Sequence, residues 1–171
     1  MSMSESTTTL LGTASRARRA ATVERVLPGS PEAAWAALTE PVLIASWFGP
    51  VLSGEPAPGG AYVLACLGDA GDSSTCRVRE WREPGVLEVA WRYQDETADS
   101  VLRWELAAAE GGTRPRVRHS DLPAEVDPAD YAAGRHMYTD WLDVLLAGGL
   151  PRRDSGRRRQ QLRPHYAAAA E

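Results

Sequence analysis

The side chains that could carry chemistry are few: three histidines, two cysteines, and one arginine set among aromatic residues of a 171-residue chain. His119 closes a run in which Arg114, Arg116 and Arg118 alternate with Pro115, Val117 and His119, so period-two geometry turns His119 inward. As a general base, an imidazole there needs a substrate proton within about 3 Å and preferably a carboxylate to orient it. The sequence names no such carboxylate, and the alternative is a satisfied structural histidine. His136 falls one step off an apolar stripe and is expected at the surface, while His165 lies in the C-terminal tail. No Cys/His or Asp/Glu ligand spacing surrounds these histidines, so no metal site is expected. Nor is a cofactor expected, because no P-loop, dinucleotide-binding glycine pattern or nucleophile elbow is present. The stretch from Asp69 to Asp72 is too short for a calcium loop and reads as a turn.

Arg135 lies on the stripe formed by Tyr131, Gly134/Arg135, Tyr138, Trp141/Leu142 and Leu145, at helical spacing. A buried guanidinium keeps its charge and is costly unless paired. Glu88 and Glu105 fall on the wet face of their strands, which leaves an acidic or phenolic ligand as the partner. Alternatively Arg135 leans out beside His136 toward Asp130 or Asp143. Six Trp and five Tyr against one Phe suit a pocket for a flat, partly polar molecule, because each combines an apolar face with one polar group. Trp35 and Trp141 read as core. Trp91 and Trp104 either line a cavity or pack within the core. Cys66 and Cys76 flank a turn and could face each other across a hairpin; two cysteines are too few for a disulfide framework.

Regular elements must hold these groups in place. Residues 21–27 read as a strand ended by Pro28-Gly29. Ser30-Pro31 opens a helix carrying Trp35 and Leu38, and a second short helix pairs Leu43 with Trp47 and Ile44 with Phe48 before Gly49-Pro50 stops it. Alternation then predicts five strands, around Tyr62/Leu64/Cys66, Val78/Trp81, Leu87/Val89/Trp91/Tyr93, Leu102/Trp104/Leu106 and 113–119. A long helix starts at Asp127-Pro128, with Asp130 placed for a capping-box-like contact, and ends at Leu150-Pro151. The order is strand, two short helices, five strands, long helix: an α+β domain with a curved antiparallel sheet of about six strands.

Charge marks the ends. Residues 1–151 hold 13 Arg against 21 Asp and Glu, a net of −8, whereas residues 152–171 are net +4. An acidic body argues against a nucleic-acid face, so only the Arg-rich tail could make such a contact. Residues 1–20 and 151–171 lack an apolar period and are expected to be disordered, leaving 21–150 as one domain. Deleting the tail is therefore expected to leave thermal stability nearly unchanged. No run is long enough to cross a membrane, and the start lacks the plan of a secretory signal, so a cytoplasmic location is expected. Every one of the 19 basic residues is Arg, which with abundant Gly and Pro reads as the coding bias of a high-GC, actinobacterial source.

Val23-Glu24-Arg25, Ser30-Pro31-Glu32 with Trp35 and Ala37-Leu38-Thr39, and Trp47-Phe48-Gly49-Pro50 follow one another at informative spacing. Pro58-Gly59-Gly60, Glu83-Pro84 before Leu87, Val89 and Trp91, Gly112-Thr113-Arg114, His119 and Ala133-Gly134 continue the series. Over residues 21–149 the order resembles the bacterial homologues of the activator of the heat-shock chaperone ATPase, a branch of the SRPBCC (START-like) superfamily. The resemblance implies a helix-grip fold with a cavity under the long helix. Two departures stand out: Arg135 occupies a position where relatives usually carry Trp, and Pro115 sits in a strand that relatives fill with an apolar residue.

The resemblance does not fix one activity. The reading adopted is a non-catalytic binder of a small, largely apolar molecule: an aromatic polyketide, a polyene or a lipid-like metabolite. Trp47, Tyr62, Leu64, Val78, Val89, Trp91, Trp104 and Tyr138 would supply walls, His119 and Arg135 the polar points. Self-resistance to an antibiotic, by sequestration or self-sacrifice, is one setting; in the latter, the α-hydrogen of Gly134 would quench a radical. The enzyme alternative is a polyketide cyclase or dehydratase in which His119 and Arg135 stabilise enolate charge. A third alternative is a surface-acting co-chaperone. A monomer or homodimer without a membrane partner is expected.

Overall fold

The computed structural model describes residues 8–66, 71–154 and 156–171. Among these residues the chain forms eight strands and four helices. They are β1 (Gly12–Ser15), β2 (Ala20–Glu24), α1 (Pro31–Thr39), α2 (Pro41–Trp47), β3 (Val51–Gly54) and β4 (Ala61–Ala65). After them come β5 (Ser73–Arg82), β6 (Val86–Tyr93), β7 (Ser100–Ala109), β8 (Gly112–Ser120), α3 (Pro128–Leu146) and α4 (Arg157–Ala169).

One curved antiparallel sheet runs β1-β2-β8-β7-β6-β5-β4-β3, so β2 meets the last strand, β8, and the edges are β1 and β3. Alternation dictates its two faces: Leu87, Val89 and Trp91 on β6, and Leu102, Trp104 and Leu106 on β7, all turn inward and are buried. The helices α1, α2 and α3 cover that face, and the main core lies between them. This is the helix-grip arrangement, with eight strands rather than six.

Local chemistry sets the helix starts. The Ser30 side chain accepts a hydrogen bond from Ala33 N at 3.2 Å and Pro31 opens α1; Asp127 accepts from Ala129 N at 3.0 Å and Pro128 opens α3. Asp130 does not complete a capping box. It accepts from Arg163 of α4 at 2.6 Å instead. The helix α3 stops at Leu146, short of Leu150-Pro151, where Gly148 adopts φ +91°. The departure at Pro115 is absorbed by a break in pairing. The β2–β8 ladder ends at Glu24↔Arg116 and resumes only as a single bridge, Leu27↔Thr113.

The elements not foreseen share a cause. In β1, only Ala14 is buried, and in β3 three of the four residues are exposed, so neither edge strand carries an apolar alternation. The stretch Gly12–Ser15 lies within residues expected to be disordered; residues 1–7 lie outside the described set. The tail likewise holds a helix. In α4, only Leu162 and Tyr166 are buried and Pro164 interrupts the interior, so periodicity gives almost no signal. Tertiary packing supports it: Leu162 and Tyr166 join Ala14, Ala21, Ala129, Ala132 and Ala133 in a second apolar cluster. Because α4 covers the flank of α3, His136 is 2% exposed rather than at the surface. Its Nδ1 lies 2.8 Å from the Tyr166 hydroxyl, and Nε2 lies 3.8 Å from Asp140 Oδ1.

Candidate functional site

The long helix α3 lays Tyr131, Gly134, Arg135 and Tyr138 over the inward face of β6, because i, i+3, i+4 and i+7 share one side of a helix. Between them is a cavity of about 330 Å³, within the range of small-molecule sites. Trp91, Phe48, Met137 and Tyr138 give it apolar walls, and Phe48 stacks on Tyr138 with centroids 4.1 Å apart. Behind it lies a second space of about 40 Å³, room for a few waters at most, which shares Phe48, Trp91 and Arg135 with the first.

Arg135 is the polar centre. Its side chain is 5% exposed, its guanidinium carbon sits 4.4 Å from the Trp91 ring centroid, and its Nη2 lies 3.1 Å from His119 Nδ1. Among the described residues it makes no ion pair with a carboxylate. Burial lowers its pKa, without neutralising a group this basic.

His119 stands behind Arg135 and is fully buried. An arginine can only donate, so Nδ1 accepts from Arg135, Nε2 carries the hydrogen and donates to Ser100 Oγ at 2.6 Å, and Ser100 Oγ donates to the Trp91 carbonyl at 3.3 Å. Burial, and then the neighbouring Arg135 charge, hold His119 well below its ordinary pKa, so the ring is neutral. The Trp91 indole in turn donates to the Tyr131 hydroxyl at 3.2 Å, and Tyr131 donates to Glu96 Oε2 at 2.5 Å. Burial, followed by Glu96, raises the Tyr131 pKa. One hydrogen-bonded line therefore fixes the arginine, the indole and the phenol that border the cavity.

Of the expected site residues, Trp91, Gly134, Arg135 and Tyr138 line the larger cavity. Trp47, Tyr62, Leu64, Val89 and Trp104 line the small inner space with Trp91 and Arg135. Trp47 also donates its indole hydrogen to Ala37 O at 2.7 Å, a core role. Val78 is buried in the core and His119 is buried behind Arg135; neither lines either of these two cavities. Trp35 packs edge-on against Trp81, as core. Arg135 faces the cavity rather than Asp130 or Asp143, which bind Arg163 and Arg25.

Cys66 and Cys76 do not face each other: Cys76 pairs across the hairpin with Tyr62, and Cys66 Sγ lies 3.4 Å from Ser74 Oγ. Burial pushes the Cys76 thiol up to about 12, whereas Cys66 is half-buried at the larger cavity. Asp69 lies outside the described residues; Asp72 accepts from Tyr93 and Gln94 and lines the cavity. The described residues hold no cluster of metal-ligating side chains.

Several lining residues were not foreseen. Tyr131 and Met137 could have been found, since both lie on the long helix α3, and Tyr93 continues the inward face of Trp91. Gly156 and Arg159 could not, because they lie in a tail without periodicity. Carboxylates also border the space, each already engaged: Asp127 and Asp130 with Arg163, Glu125 with Thr97, and Glu96 with Tyr131.

Residues 28–147 match the model of the family described as activator of Hsp90 ATPase homolog 1-like protein. Among solved structures, CalU16 from Micromonospora echinospora is 21% identical with a TM-score of 0.71, covering 94% of this chain and 95% of that one. A protein from Rhodobacter sphaeroides is 26% identical with a TM-score of 0.67, covering 80% and 97%. DynU16, a protein in the dynemicin biosynthetic locus, is 24% identical with a TM-score of 0.70, covering 80% of this chain and 50% of that one. No curated protein matches the sequence.

Proposed function

The chain belongs to the activator of Hsp90 ATPase homolog 1-like family, and within it we propose a binder of one small, largely apolar aromatic or polyene molecule that bears an acidic or phenolic group. The observation that carries this reading is Arg135, a buried cation stacked on Trp91 at a 330 Å³ cavity, with no carboxylate of the described residues against it. An anion arriving from a ligand would meet a desolvated guanidinium held by His119, and charge-assisted bonds in such settings are strong.

The aromatic walls suit a flat ring system. The likeness to DynU16, a protein in the dynemicin biosynthetic locus, favours a place in natural-product biosynthesis, and self-resistance by sequestration is a setting compatible with that place. Self-sacrifice at Gly134 has the support that this residue borders the cavity.

Catalysis is the weaker reading, for a geometric reason. Both nitrogens of His119 are already engaged, and the ring lines neither of the two cavities described above, so a substrate bound there would not present a proton to it. No helix of the described residues is long and apolar enough to cross a membrane. Native mass spectrometry of the protein purified from its own source tests the proposal. A single unmodified ligand per chain supports it, and product formed in excess of protein would replace it with the cyclase alternative.

A further inference from the structure

We propose that α4 is a wall of this cavity and Arg159 a contact for its occupant, so that occupancy and docking of α4 are one coupled equilibrium. The inference rests on the cavity being the binding site. Three observations carry it. Gly156 and Arg159, at the start of α4, line the same space as Arg135 and Trp91. The Arg159 stem packs against α3 at Gly134, where a Cβ would meet Arg159 Cδ at 3.6 Å, an ordinary van der Waals distance. The apolar part of the docking is small, since only Leu162 and Tyr166 of α4 are buried; its other ties include the hydrogen bonds of the Tyr166 hydroxyl with His136 and the Leu11 amide, and partly exposed ion pairs from Arg163 to Asp127 and Asp130 and from Arg158 to Asp140.

A helix held by two apolar anchors belongs to the low-stability end of a structure and opens without global unfolding. Opening would remove one wall of the cavity and one of its two guanidinium groups. A ligand that touches Arg159 therefore binds the docked state better, and by linkage docked α4 must strengthen the ligand by the same factor. The matched family region ends at residue 147, before α4 begins, so this wall lies outside the part of the chain that the family model matches.

Cys66 offers a reporter that needs no ligand, because it borders the cavity while Cys76 is 1% exposed. In the full-length chain, Leu162→Ala should raise the rate at which dithionitrobenzoate labels Cys66 on the order of tenfold or more, through the lost burial of the anchor. Arg163→Gln, which cuts only surface ion pairs, should give a smaller rise and serves if the first variant does not fold. Saturating anilinonaphthalene sulfonate, an aromatic anion, should slow amide exchange across α4 in the wild type. Arg159→Ala should weaken that probe several-fold, and by more than any change in α4 exchange in the free protein accounts for. An unaltered Cys66 rate in a chain whose α4 amides exchange freely would overturn the inference. If α4 controls Cys66 but the sulfonate does not bind, the wall stands and the ligand reading falls.

Discussion

Arg135 sits over Trp91, 4.4 Å from guanidinium carbon to ring centroid, and the same indole donates to Tyr131 while the Trp91 backbone carbonyl accepts from Ser100. The cation at the cavity is thus held by a stacking surface in front and a neutral histidine behind. Replacing Arg135 by Leu removes a buried charge but leaves His119 Nδ1 without its donor. These effects oppose each other, since apolar replacement of buried ions is often neutral or better, while an unsatisfied buried acceptor costs about 1–3 kcal/mol. The melting temperature of the empty protein should move by only a few degrees. Loss of many degrees would make Arg135 a structural residue first.

Stability should fall as pH drops below about 6.5. The folded-state pKa values of His119 and His136 are both lowered, by burial first. In that range the unfolded chain binds protons that the folded chain does not, so stability is full above about 6.5 and declines below it, by up to about 1.4 kcal/mol per pH unit for each histidine. Urea midpoints between pH 7.5 and 5.5 should show this slope, and His119→Asn should remove about half of it. A flat profile would mean that neither ring is held neutral.

The tail is where sequence and structure part most clearly. Deleting residues 152–171 should lower stability, against the expectation from sequence, because it uncovers the faces that bury Leu162 and Tyr166. Two such side chains contribute roughly 3–6 kcal/mol, on the order of ten degrees for a domain this size. An unchanged melting temperature would show that α4 does not stay docked in solution.

Tyr166→Phe offers a finer probe of the same contact. The ring stays buried, but His136 Nδ1 and the Leu11 amide lose the hydroxyl between them. Destabilisation of about 1–2 kcal/mol is expected in chemical denaturation, as for other lost buried hydrogen bonds. No change would place water in the role of that hydroxyl.

Burial on one face and capping chemistry are what a sequence makes legible. Strands buried on one face, such as Val86–Tyr93 with its Leu, Val and Trp alternation, declare themselves, and so do helices opened by Ser30-Pro31 and Asp127-Pro128. The edge strands and α4 do not, because each takes its order from neighbours rather than from its own pattern. The same limit applied to the site. Arg135 and Trp91 were visible as inward positions on elements with strong periodicity. His136 was misplaced by one missing layer: without α4 it faces water, and with α4 it is sealed. Gly156 and Arg159 were invisible for the same reason.

The central claim is that Arg135 recognises an acidic group on an aromatic ligand inside the cavity. Calorimetric titration of an anthracene carboxylic acid and its methyl ester, against the wild type and Arg135→Leu, tests it as a thermodynamic cycle. The account predicts one-to-one binding of the acid to the wild type, at least about tenfold tighter than the ester, with the difference abolished in Arg135→Leu. Equal binding of acid and ester by the wild type, or a preference for the acid that survives the loss of Arg135, would contradict it.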